Sequence, residues 1–187
     1  EVQTWRLAAR LRKWLELSPS ERASKPLESL LPQMAADCEI KPLDIVKATG
    51  NVILTFVGQG WMDRAEEVHE LSPNRLTGMQ ILEASNGGAA RFSNVFHKAP
   101  QFKQAVDLSP QLGFSVCVVE PALLERAVEQ APFLLRALEA NPKYGAKLLV
   151  RYATLDEIAQ EKIRTLYEAK AAILEEHPEI EPNTWAF

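Results

Sequence analysis

Histidine and cysteine are scarce in this chain, with three and two copies in 187 residues. His69, His97 and His177 stand far apart, without the i, i+4 spacing that puts two imidazoles on one helix face. Cys38 and Cys117 form no CxxC pair and have no histidine cluster beside them. Neither a zinc site nor a dithiol redox site is therefore expected. Two buried free thiols in a reducing compartment are expected instead. Cys117 sits in "SVCVVE", whose apolar neighbours would raise a thiol's pKa, so it is read as core and not as a nucleophile.

Long apolar runs are also missing. The longest, "VILTFVG", falls far short of the roughly 20 residues of a membrane span. An excess of positive charge is missing too. The net charge of −4 gives no general attraction to phosphate, although a local basic patch is still allowed. The N-terminus has no signal-peptide order of basic, apolar and small-residue regions. It also has no initiator Met, so the chain is expected to be processed or to be a module of a larger protein. A cytoplasmic setting is expected, with secretion of an effector lacking a cleavable signal as the variant. HExxH, GxSxG, DxD and P-loop patterns do not occur. No residue is assigned a catalytic, cofactor-binding or metal-binding role, and the enzyme question leans to no. An enzyme whose site assembles from dispersed residues is kept as a third reading.

Proline is plentiful, with 12 copies, and most of them are expected to sit where helices begin. "ELSP" at 16–19 and 70–73, "DLSP" at 107–110 and "NPKYG" at 141–145 each offer Ser or Asn as N-cap and Pro at the first helical position. "KP" at 25 and 41 looks similar. Between these marks the apolar period is helical. Leu7, Ala8, Leu11, Trp14 and Leu15 share one face, and Leu27, Leu30, Leu31 and Met34 another. Leu43, Val46, Ala48 and "VILTF" predict a more buried helix with a break at Gly50-Asn51. Leu124 to Leu138 predicts a long helix kinked or broken at Pro132. Thr154 and Glu157 suggest a capping box for a last helix of about six turns that ends before Pro178. "GFSVCVVE" at 113–120 alternates like a strand but has no partner strand, so a short helix or an extended connector is expected there. The fold class is all-α: a multi-helix bundle or a short α-solenoid-like array of about eight to ten helices. It is expected as a single helical domain over 1–187, with 179–187 as a C-terminal tail.

The stretch 40–56 can be laid over 76–92. Ile40 then meets Leu76, Leu43 meets Met79, Ile45 meets Ile81, and Phe56 meets Phe92, with a Gly/Asn corner at the same place in both. Two repeat units, 40–75 and 76–112, would explain this. The pattern resembles the DNA-reading helical repeats of transcription-activator-like effectors, whose units run helix, short loop with a polar pair, then a second helix. The resemblance implies a reading loop near Asn86. Only two units match, their downstream halves diverge, and the chain is acidic where such arrays bind phosphate. The adjacent glycines Gly87 and Gly88 are accordingly read as helix C-caps. The alternative is a phosphate held at a helix N-terminus near Ala89 with help from Arg91.

Carboxylate runs such as "DRAEEVHE" read as solvated faces. On the first helix Arg6, Arg10 and Lys13 share a face, flanked by Trp5 and Trp14. Trp185 and Phe187 in the tail form either a docking motif or a segment folded back on the bundle. The candidate interaction residues are therefore Arg6, Arg10, Lys13, Asn86, Arg91, Trp185 and Phe187. The expected function is a non-enzymatic helical protein-interaction domain, of adaptor, scaffold or effector type, whose partner is another protein. A nucleic-acid-binding helical module is the alternative.

Overall fold

Proline at the first helical position removes an N–H that no helix would use, and it keeps the preceding residue out of the α region. Five consecutive helices in the second half of the chain begin this way. A computed structural model describes residues 1–72, 76–85, 88–177 and 179. Among the described residues the chain is 83% helical, with 13 α-helices and no strand. The count exceeds the sequence-based expectation because prolines such as Pro100 and Pro121 restart helices that periodicity alone would run on, whereas Pro32 lies inside one.

The chain divides into two compact units, Glu1–Leu76 with Ala84–Asn86, and Thr77–Glu83 with Gly87–Phe187. The first holds α1 (Val2–Leu15), α2 (Pro19–Ser24), α3 (Leu27–Asp37), a 3-10 turn at Pro42–Asp44, α4 (Ile45–Gly58) and α5 (Met62–Leu71). Its core is the apolar stripe of each helix: Leu7, Leu11 and Trp14 with Leu31, Ile53, Phe56 and Val68. The Trp14 indole Nε1–H donates to the Lys25 carbonyl at 2.8 Å, which anchors the chain between α2 and α3. Ser18 caps α2, as "ELSP" predicts, and Glu21 completes a capping box. The break expected at Gly50-Asn51 is absent, and α4 is uninterrupted. Ala48, Thr49 and Gly50 are buried there, and Thr49 donates back to the Ile45 carbonyl at 2.8 Å. An interior glycine costs a helix about 1 kcal/mol. Burying Val52, Ile53, Phe56 and Val57 outweighs that. The likeness of 40–56 to 76–92 therefore lies in apolar positions and not in a shared corner.

Helices α3 and α4 end in the same motif with different residues. After α4, Gly60 takes φ +79°, and the N–H groups of Gly60 and Trp61 bond back to Val57 and Phe56. After α3, Glu39 takes φ 61°, and the N–H groups of Glu39 and Ile40 bond back to Ala36 and Ala35. Both are Schellman endings, and only glycine adopts the left-handed position freely. Glu39→Gly should therefore raise stability by roughly 0.5–1 kcal/mol. A urea titration would show this as a higher midpoint; a lower midpoint would mean that the Glu39 side chain stabilises more than its backbone strain costs.

The second unit holds α6 (Gly78–Ala84) except its last residue, a 3-10 turn at Ala89–Phe92, α7 (Ser93–Lys98), α8 (Pro100–Leu108), α9 (Pro110–Cys117), α10 (Pro121–Gln130), α11 (Pro132–Ala140), α12 (Pro142–Ala153) and α13 (Glu157–Glu176). Ser109 accepts from the Leu112 N–H and Asn141 from the Tyr144 N–H, both as predicted. Thr77 and Gln80 form a reciprocal pair at the start of α6. The strand-like "GFSVCVVE" is mostly helix α9, with the Cys117 thiol facing the Ile81 carbonyl at 3.8 Å. The run from Leu124 to Leu138 is split at Ala131, where φ is −129° and ψ 78° before Pro132. The expected capping box at Thr154 does not form. Thr154 is still in the α region and its hydroxyl bonds back to Arg151. The chain turns extended only at Asp156, and that carboxylate caps α13 through the Ala159 N–H at 2.8 Å.

Candidate interaction surface

The sequence-derived candidates that the structure describes are divided between the two units. Arg6, Arg10 and Lys13 lie in the first unit, and Arg91 in the second. Arg10 bonds Asp37 at 3.2 Å, and Arg6 lies 3.9 Å from Glu39. The C-terminal end of α3 thus balances much of the basic face of α1. Trp14 is buried, while Trp5 is exposed. Arg91 lies 3.4 Å from Glu120 and 6.0 Å over the Phe92 ring. Gly88 has φ 57° with ψ −163°, an extended geometry of positive φ and not the left-handed helical cap expected. Asn86, Gly87, Trp185 and Phe187 lie outside the described residues.

His69 and His177 sit at the ends of α5 and α13. Both cysteines are free, Cys38 buried and Cys117 half-buried. Among the described residues no group of three or more His, Cys, Asp or Glu side chains is placed to hold a metal ion. No helix there is long and apolar enough to cross a membrane.

A different surface emerges in the second unit, between α12 and α13. Gly145 lets α12 lie against the backbone of α11 at Ala137 and Leu138. Tyr152 from α12 meets Phe133 of α11 edge-on, with ring centroids 5.7 Å apart. Tyr167 of α13 stacks on the same Phe133 ring at 5.0 Å. These contacts set α13 beside α12 but bury little of it. Of the twenty residues of α13 only Tyr167 and Ala171 are fully buried. Ile158, Leu166 and Ile173 remain 73%, 54% and 53% exposed. For an amphipathic helix this is a second apolar stripe, left exposed among the described residues.

Between the two helices runs an open groove of about 440 Å³, lined by Tyr144, Leu148, Ile163 and Leu166 and by the cations Lys147 and Arg151. Lys143, Lys147 and Arg151 follow at i, i+4 and i+8 along one exposed side of α12. Lys162 and Lys170 stand one turn either side of Leu166 on α13. The ion pairs of these last helices among the described residues are Arg136–Glu175, Arg164–Glu161 and His177–Glu179. Lys143, Lys147, Arg151 and Lys162 take part in none of them. Partial burial holds the Lys170 ammonium below the ordinary lysine value. The arrangement is an apolar trough with basic residues along both helices, in a protein whose net charge is −4. Sequence reading passed over it because each helix by itself shows an ordinary solvated face. No protein-family model, curated protein or solved structure matches the chain.

Proposed function

We propose that the chain is a non-enzymatic helical domain that binds another protein, as an adaptor, scaffold or effector-type module. The observation that carries this reading is the α12–α13 groove, with Tyr144 and Leu166 about half exposed at its mouth. Apolar side chains facing a concave channel are the material of helix-in-groove recognition. A reducing, cytoplasmic setting goes with this reading and is supported by the two free cysteines.

The exposed cations of α12, which join no ion pair among the described residues, favour a second reading, a nucleic-acid-binding module. Titration with random duplex DNA separates the two. A protein-binding module should bind it at physiological salt with a Kd of roughly 10⁻⁴ M or weaker. Micromolar binding that falls steeply with added salt, and falls again on Lys147→Glu or Arg10→Glu, would make counterion release the driving term and give the second reading the function.

A further inference from the structure

We infer that the occupant of the α12–α13 groove is an acidic amphipathic helix of a partner protein. This rests on the protein-interaction reading and adds the chemistry of the partner. The cations of α12 recur every four residues, so they stand about 6 Å apart along the helix axis. Carboxylates at i and i+4 on a second helix have the same spacing. A helix lying in the groove thus places Glu or Asp against Lys147 and Arg151 while its apolar side chains at i, i+3, i+4 and i+7 reach Leu148, Ile163 and Leu166. On the other side the exposed Lys162 stands one turn from Leu166, so a carboxylate on that edge of the helix also has a cation within a turn. A basic helix would bring like charges together instead.

The alternatives fit less well. Duplex DNA offers phosphates to the cations but no apolar surface for Leu148, Ile163 and Leu166, which line the groove beside them. A lipid surface takes up an apolar face that projects, with cations beside it. Here Leu148 and Ile163 are partly buried in a channel beside Lys147 and Arg151 and do not project.

Three fluorescein-labelled synthetic peptides of 18 residues test this, with the full chain titrated at physiological salt and followed by anisotropy. One carries Leu at helical spacing with Glu elsewhere, the second replaces every Glu with Lys, and the third replaces every Leu with Asn. The Glu peptide should bind at least about tenfold more tightly than either control. Lys147→Glu and Arg151→Glu should each weaken it by roughly fivefold, the upper end for an exposed charge pair. Leu166→Asp should weaken it by more than about tenfold, as loss of one buried leucine implies. Lys103→Glu, exposed on α8, should change nothing. Circular dichroism confirms that each variant is folded. If the Glu and Lys peptides bind equally and Leu166→Asp weakens both, the acidic partner is ruled out while the protein-interaction reading stands. If no peptide binds, or if duplex DNA or anionic vesicles bind more tightly and compete through Lys147 and Arg151, both are overturned.

Discussion

Gly145→Ala is expected to destabilise the protein by about 2–3 kcal/mol, the cost of overpacking a tight interior contact. The usual effect of this change inside a helix has the opposite sign, a gain of about 1 kcal/mol. Here the new Cβ would sit 2.5 Å from the Leu138 nitrogen, 2.6 Å from its Cα and 2.7 Å from the Ala137 carbonyl carbon. All three are backbone atoms of the α11 helix, so no side-chain rotation relieves them. The two helices must separate, which loosens the Phe133–Tyr152 contact and the wall of the groove. A urea titration reads the loss as a lower midpoint, and hydrogen exchange should localise it to α11 and α12. An equal or higher midpoint would show that these helices do not approach so closely.

Phe133→Ala should cost more, about 3–5 kcal/mol. The ring is 1% exposed and touches Tyr152 edge-on and Tyr167 face-on. Its loss removes both aromatic pairs as well as the buried area. Tyr167 supplies an independent readout. Burial pushes its phenol above the ordinary tyrosine value. Such a group favours the neutral form in the folded protein, and the stability it contributes is present below the unfolded value and lost as pH rises through the folded one. Removing Phe133 admits water, so the ultraviolet titration of Tyr167 should move down toward that of an exposed tyrosine. A variant with unchanged denaturation and unchanged tyrosine titration would contradict the stacked geometry.

The fold was legible where the deciding forces are local. Ser18, Ser109 and Asn141 cap helices because their side-chain oxygens reach N–H groups three residues on, and the following proline gives up nothing at the first helical position. Where two local signals compete, pattern reading chose wrongly. Thr154 and Asp156 can both cap, and the winner depends on where α12 stops, which is a matter of packing. Gly50-Asn51 resembles a helix end as closely as Gly88 resembles a corner. Burial on both sides of Gly50 keeps α4 continuous.

The amino-acid sequence alone determined the all-α class, most helix starts and the apolar stripe of each helix, because these depend on neighbours within one or two turns. It also made α1 look like the basic surface, since Arg6 and Arg10 are concentrated there. Only the tertiary structure set Asp37 and Glu39 beside those arginines, from about thirty residues away. The same holds for the groove. Lys147 and Arg151 come from α12, and Ile163 and Leu166 from α13; their convergence follows from the turn at residues 154–156 and the stacking of Tyr167 on Phe133. Charge pairing and groove shape depend on which helix faces break the chain's own contacts and which keep them. That choice is made by the packing of whole elements, and no window of sequence contains it.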